Sequence, residues 1–444
     1  MTHHDEILRE NLEYSLFSWS AQGSLNPISM TRSQGVYFWD ANDKRWLDFS
    51  SQLMYANLGH SHPRMVRAIQ EQAGKLCFAY PGIATEVRGK LAHALADVTP
   101  AGLKKSFFTL GGADAIENAI KMARLVTGRS KILGRNRAYH GGSYASAAAG
   151  GDPRRHLNGP EMPGFIHIPD PYSYRSPLYR HCSPEEGDMV LADLIEDTIL
   201  IESSDTVAAL LLEGWSGTSG IIMPQGPAFW QRMREICDRY GILLIDDEVM
   251  SGFGRTGKMF AIEHHGVTPD MMCLAKGLTG GYLPMGAVMV SEAVGKHFDD
   301  HFLNCGLTYN AHPMACAAAL EAISIYRDEQ LVQNAARLGE HVSQRFAAMQ
   351  DAHPSLGEYR GTGLFWCLEI VKNRDTRAAM SPWNQPMSKP MTEAAALLRS
   401  RGLSTFVRWN YIFVVPPLVI NQSELDEGLG IIEESLALLD GHCD

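Results

Sequence analysis

Leu243–Gly257 reads LLIDDEVMSGFGRTG. An apolar run of strand length ends in Asp246, Asp247 and Glu248, then passes straight into a glycine-rich turn. Short, uniformly apolar strands bounded in this way belong to parallel sheets buried on both faces. In open sheets of that kind ligands bind beyond the C-terminal strand ends, where Asp247 falls. The pattern repeats outward. Ser106–Leu110, Val207–Leu212, Asp270–Ala275 and Pro284–Val290 are further apolar runs, and Ala228–Tyr240 has helical spacing. From about residue 85 to residue 330 the chain therefore reads as α/β with a mostly parallel sheet. The first 60 residues hold a short polar helix and two strand-like pieces, Gly35–Trp39 and Arg45–Phe49. After residue 330 the pattern becomes α+β: a helix at Gln330–Met349, strands near Gly363–Val371 and Ser404–Val415, a loop at Pro382–Pro390 and a closing helix from Ser423. We expect a large domain over residues 61–330 and a small domain built from residues 1–60 and 331–444. No repeat or low-complexity linker separates them, so they should pack closely.

Composition narrows the function. The 444 residues include 39 Lys plus Arg and 50 Asp plus Glu, a net charge of −11. That balance argues against nucleic acid or an anionic membrane as partner. The eight cysteines are dispersed with no CxxC pair, so neither a metal site nor a redox motif is expected, and a reducing compartment is. The N-terminal MTHHDEILREN lacks the apolar core of a signal peptide, and no apolar run approaches the roughly 20 residues that span a bilayer. We expect a cytoplasmic protein.

Three elements carry chemistry. Asp247, at a strand end, could merely cap its loop; alternatively it is the carboxylate that keeps a cofactor's pyridine nitrogen protonated, so that the ring withdraws electrons. Lys276, in CLAKGLTGGYLPMG, lies 29 residues downstream after another apolar strand and should reach the same sheet edge. A lysine that is partly desolvated loses its proton more readily and becomes a nucleophilic amine. Alone, a lysine before a glycine reads as a solvated surface residue. Third, Leu110-Gly111-Gly112-Ala113-Asp114 separates a strand from a long helix. Amides at such a helix start bind anions, a phosphate among them. The same five residues also read as a tight turn with Asp114 as helix cap. This turn has neither the GxxxxGK[ST] nor the GxGxxG spacing, so it does not read as the phosphate loop of a nucleotide-binding α/β enzyme.

Together these elements resemble the class III aminotransferases, the omega-amino-acid group of fold-type I pyridoxal-phosphate (PLP) enzymes. The likeness rests on Asp247-Glu248-Val249, on Gly252-Phe253-Gly254-Arg255-Thr256-Gly257 and on Lys276. Asn57-Leu58-Gly59-His60 with Pro63 resembles the family's N-terminal element, and Pro416-Pro417-Leu418 its late Pro-Pro motif. The resemblance implies a large domain with a mostly parallel, seven-stranded sheet, a small α+β domain from both termini, and pyridoxal 5'-phosphate held as a Schiff base on Lys276. It implies Asp247 at the ring nitrogen and Tyr139-His140-Gly141 stacking Tyr139 on the ring. Gly111, Gly112 and Ala113 would cradle the phosphate. Leu307-Thr308-Tyr309 would bring Thr308 to the phosphate of a second subunit, hence a homodimer with shared sites, with pairing into tetramers left open. Arg408 sits where many members bind the substrate carboxylate, and Trp19, Met54 and Tyr55 would line an apolar wall. Two departures stand out: Glu213-Gly214-Trp215 where the family often has Glu-Pro, and Trp409-Asn410-Tyr411 after the arginine. Glu213 could pair with Arg408 as a gate, or either could be a structural ion-pair group.

Trp19-Ser20-Ala21-Gln22 and the Gly-Gly-Ala-Asp-Ala turn are most similar to the pyruvate-dependent branch. That implies transfer of an amine from taurine, beta-alanine or a similar donor to pyruvate by a ping-pong mechanism. Alternatives are a 4-aminobutyrate or ornithine transaminase using 2-oxoglutarate, and a class III aminomutase or decarboxylase, which needs no second substrate. A non-enzymatic scaffold would have little reason to keep Lys276, Asp247 and Arg408.

Overall fold

A computed structural model of the chain describes residues 2–444. At its centre lies a seven-stranded sheet. In chain order its strands are β1 (Leu103–Thr109), β2 (Lys131–Arg135), β3 (Phe165–Ile168), β4 (Val207–Glu213), β5 (Leu243–Asp247), β6 (Met271–Leu274) and β7 (Gly286–Ser291). Their spatial order is β1-β7-β6-β5-β4-β2-β3. β3, β2, β4, β5 and β6 run parallel, and only β7 runs antiparallel to its neighbours β1 and β6. The apolar runs show why. Successive residues on a strand face opposite sides, and both sides are covered here. Leu210, Leu212, Leu244 and Met272 join one core with Phe229, Trp230 and Met233 of the Ala228–Tyr240 helix. Ala209, Leu211, Ile245 and Cys273 join a second core with Ile116, Ala119 and Ile120 of the Gly112–Thr127 helix. Each large aliphatic side chain buried this way contributes about 1.5–3 kcal/mol. The Ala228–Tyr240 helix stops at Gly241, which takes the left-handed conformation (φ 62°) that a side chain would resist.

Two smaller sheets complete the fold. Met30–Gln34, Tyr37–Asp40 and Arg45–Asp48 form a four-stranded sheet with Leu403–Ser404 from the far end of the chain. Leu356–Thr362, Phe365–Asn373, Tyr411–Val414 and Val407–Arg408 form the core of another. β2, β3 and the 18-residue helix Pro184–Ile201 lie outside the segments our sequence reading marked. β2 is KILGR, five residues with a charge at each end, and offers periodicity little to work with. Among the described residues, no helix is long and apolar enough to cross a membrane.

The glycine-rich turn after β5 does structural duty through Arg255. Its guanidinium is fully buried and donates to Asn57 Oδ1 (2.5 Å), Ser51 Oγ (3.1 Å), Leu364 O (3.1 Å) and Pro416 O (2.5 Å). One side chain thus ties the N-terminal and C-terminal segments to the turn beside β5. Burial holds this guanidinium down to about 10.

Candidate active site

The parallel register sets Glu213 opposite Asp247 and Asp247 opposite Cys273, so the carboxyl ends of β4, β5 and β6 finish level. Alternation along β5 then separates the two aspartates. Asp247 shares the face of Ile245, toward the Gly112–Thr127 helix, and Asp246 shares the opposite face with Leu244. Asp246 is fully buried, and burial beside Glu248 raises its carboxyl well above the ordinary value. Asp247 hydrogen bonds His140 Nδ1 through Oδ2 at 2.7 Å, and its Oδ1 accepts from Val249 N at 3.0 Å. The outer ring nitrogen of His140 is buried and without a partner among the described residues. Burial pushes the neighbouring Glu213 carboxyl up to about 7.

Lys276 leaves the end of β6 at the same edge. Its backbone φ is 41°, in the left-handed region that a lysine rarely visits. Such a position costs on the order of 1–3 kcal/mol and persists only where the surroundings enforce it. Here the enforcing contact is close: a Cβ on Gly277 would lie 2.6 Å from Asn57 Nδ2 and 2.8 Å from Phe253 Cβ. The Lys276 amine lies 5.7 Å from the centre of the Tyr55 ring, and desolvation lowers its pKa to about 8.

The 16-residue Gly112–Thr127 helix begins at a Gly111 cap that supplies no side-chain hydrogen bond. Asp114 is its third residue and does not cap it. The first amides, those of Gly112 and Ala113, therefore remain available to an anion. Gly112 is required sterically, because a Cβ there would meet Val249 Cγ1 at 2.9 Å. A pyridine cofactor with a phosphate tail fits this donor set: an anion seat at a helix start, a carboxylate backed by an imidazole, and a desolvated amine.

The other expected residues are placed as follows. Tyr139 is half-buried and its amide donates to Glu213 Oε1 at 3.4 Å. Trp19 and Tyr55 are exposed, whereas Met54 is buried in a cluster with Trp215 and Trp409. Thr308 lies in an exposed turn. Glu213 and Arg408 do not pair. The Glu213 carboxylate accepts from Gly217 N at 2.8 Å, while Arg408 reaches Asp152 Oδ2 at 2.8 Å and stacks on Trp409 at 4.0 Å. Trp409 and Asn410 form the two-residue turn between Val407–Arg408 and Tyr411–Val414. Asp152 and Arg154 were not marked in the sequence. Their only local signals are the Gly-Gly pair ahead of Asp-Pro and the two arginines after it.

Known proteins match this chain along its length. A family model for class-III aminotransferases matches residues 19–436. The putrescine–pyruvate aminotransferase of Pseudomonas aeruginosa is 34% identical over 426 residues, 92% of this chain and 90% of that protein. The 4-aminobutyrate aminotransferase of Escherichia coli is 32% identical over 422 residues, 93% of this chain and 94% of that protein. Among solved structures, the taurine:2-oxoglutarate aminotransferase of Bifidobacterium kashiwanohense, in complex with PLP and glutamate, superposes with a TM-score of 0.96 at 40% identity. That match covers 100% of this chain and 99% of the other. With sheet, motifs and relatives agreeing from end to end, the chain belongs to the class-III aminotransferases, PLP-dependent enzymes of fold type I that move an amino group from an amine donor to a keto acid.

Proposed function

We propose that this aminotransferase takes its amine from an omega-amino acid or related amine, with taurine and beta-alanine as types, and passes it to pyruvate in two successive half-reactions. The observation that carries the reading is the desolvated Lys276 amine at the sheet edge that also holds the Asp247–His140 pair. Lys276 would hold the cofactor through its Nζ, and the same amine, once free, would move the proton at the donor carbon. When bound, PLP supplies the electron sink for the charge left on that carbon. Asp247 would hold the ring nitrogen, with His140 fixing the carboxylate's orientation. Tyr139 stacks on the ring, with Glu213 bracing its amide. Gly111, Gly112 and Ala113 seat the phosphate, and Thr308 from a second copy of the chain completes that seat in a homodimer. Trp19 and Tyr55 form the apolar wall, backed by Met54. Arg408 takes the keto acid carboxylate by turning away from Asp152, since a guanidinium fork grips a carboxylate with two bonds. We propose further that residues 61–330 act as the large domain, with 1–60 and 331–444 as the small one, in a cytoplasmic enzyme.

One observation favours 2-oxoglutarate as a second acceptor: another arginine, Arg154, stands beside Arg408 on the same carboxylate. Screening taurine, beta-alanine, 4-aminobutyrate, ornithine and 1-phenylethylamine against pyruvate and 2-oxoglutarate tests the proposal. An omega-amino acid with pyruvate is expected to be the fastest pair. Turnover of a single substrate without any acceptor would replace the reading with a mutase or decarboxylase. Borohydride reduction should fix the cofactor on the peptide containing Lys276, and label on another lysine would reject that anchor.

A further inference from the structure

Asp152 is almost fully buried, and two arginines share its carboxylate. Arg154 donates from Nε to Oδ1 at 2.8 Å and from Nη2 to Oδ2 at 3.3 Å. Arg408 donates from Nη1 to Oδ2 at 2.8 Å and from Nη2 to Oδ1 at 3.3 Å. One negative charge thus faces two positive ones, and the cluster has the charge to accept a further anion. The backbone fixes it beside the reacting region. Gly150 and Gly151 lie so close to the 136–138 segment that a Cβ on them would sit 2.4 Å from Ala138 O and 2.1 Å from Asn136 O. Asp152 N donates to Ala138 O at 3.0 Å, so the loop is zipped to the residue before Tyr139. Arg154 then lies across the site, its guanidinium carbon 3.7 Å from the centre of the Tyr139 ring and 5.2 Å from that of Trp19. Its positive charge is also felt at the Lys276 amine. Arg154 Nη1 makes no hydrogen bond among the described residues, and the side chain is 27% exposed.

We propose that Arg154 determines specificity by receiving the substrate acid group remote from the reacting carbon. In a donor that group is the sulfonate or carboxylate of an omega-amino acid; in an acceptor it is the distal carboxylate of a dicarboxylic keto acid. The proposal rests on the transaminase reading above. Two arginines on one carboxylate make the exchange feasible. Drawing a lone arginine away would strand a buried Asp152, which is strongly unfavourable. With two, Arg408 can turn to the carboxylate beside the carbonyl while Arg154 keeps Asp152 paired through Nε and offers Nη1 to the remote acid. A neutral amine has no acid group and should not need Arg154, whereas pyruvate, which has no remote acid, should depend on it only through the pairing of Asp152 when Arg408 turns away.

The test compares wild-type, Arg154→Gln and Arg154→Lys holoenzymes in separate half-reactions, followed by the cofactor's absorbance. The donors are taurine, beta-alanine and 1-phenylethylamine, and the acceptors are pyruvate and 2-oxoglutarate. Arg154→Gln should raise KM about tenfold or more for the omega-amino acids and for 2-oxoglutarate, the scale of losing one charge-assisted hydrogen bond. The 1-phenylethylamine half-reaction, in which Arg408 need not leave Asp152, should change less than about threefold, and Arg154→Lys should recover part of the loss. Equal losses with acidic and neutral substrates, or no loss with either, would overturn the proposal. If the wild type transfers no amine from any of these donors, the substrate reading fails, and binding still decides Arg154. Ethanesulfonate has the acid group and no amine, and its Kd, read from tryptophan fluorescence of the holoenzyme, should rise about tenfold in Arg154→Gln. An unchanged Kd would refute the assignment.

Discussion

The protonation of Lys276 sets how readily the chain takes up its cofactor, because only the neutral amine attacks a carbonyl. Desolvation brings its pKa from 10.5 to about 8. The positive charges of Arg154 and Arg255 act in the same direction, and the carboxylates of Asp247 and Glu213 oppose them. At about pH 7.5 roughly a quarter of such an amine is unprotonated, against about one part in a thousand at the ordinary value. Stripped protein mixed with PLP should therefore recover its yellow absorbance at a rate that rises about tenfold per pH unit below 8 and levels off above it. Arg154→Gln should move the midpoint upward by removing a cation, and Asp247→Asn should move it downward by removing an anion. The same shift has a stability consequence. Between about pH 8 and 10.5 the unfolded chain binds a proton that the folded chain has released, so the stability of the stripped protein rises with pH across that window. Below pH 8 the full penalty applies, about 3 kcal/mol. Lys276→Met should stabilise the stripped protein by up to that amount at neutral pH, and the difference should vanish above pH 10.5 in urea titrations. A reconstitution rate still climbing steeply between pH 9 and 10 would refute the argument.

Asp247→Asn should lower kcat by at least about 100-fold, roughly 2.7 kcal/mol of barrier; because Asp246 faces the opposite side of the sheet, it should not substitute. Thr308→Ala should weaken retention of PLP, with the loss of one charge-assisted hydrogen bond worth roughly 1.5–3 kcal/mol. Mixing Thr308→Ala with Lys276→Ala chains should yield hybrid dimers with one working site, and inactive hybrids would count against a shared site. Arg408→Ala should slow the pyruvate half-reaction by about 2–4 kcal/mol, the scale of removing one partner from a buried charge pair, while transfer from 1-phenylethylamine changes much less. Arg255→Met should destabilise the fold by more than about 3 kcal/mol in urea titrations, since four buried acceptors lose their donor at once.

What was legible in the sequence follows from how each feature is built. β4, β5 and β6 are covered on both faces, so the residues ahead of their carboxyl ends are apolar and each run announces itself. Asp247 and Lys276 sit at the ends of two such runs, and their juxtaposition needed only the assumption of a shared sheet. The Asp152 cluster had no such guide. Its members come from residues 152, 154 and 408, and an ion pair across 256 positions leaves no periodic trace. Pairing of Glu213 with Arg408 was a reading the family resemblance left open, beside a structural ion-pair role for either. They do not pair here, because each has another partner: the Gly217 amide for one, Asp152 for the other.

Backbone conformation was the least legible, and around Lys276 it has a common origin. Ser51, Gln52, Leu53 and Met54 all have φ between 47° and 64°, a left-handed turn made without glycine. Each such residue costs roughly 1–2 kcal/mol, so no local preference selects the turn. Lys276 is left-handed as well. The two segments meet through Asn57, whose amide nitrogen donates to Phe253 O at 3.1 Å and lies against Gly277. Arg255 holds Asn57 Oδ1 and Ser51 Oγ together and reaches the carbonyls of Leu364 and Pro416 with the rest of its fork. The arginine of the glycine-rich turn is therefore the brace that keeps both strained segments in place. Its motif stands out in the sequence, yet what it does there depends on contacts with residues about 200 positions earlier and 100 to 160 later.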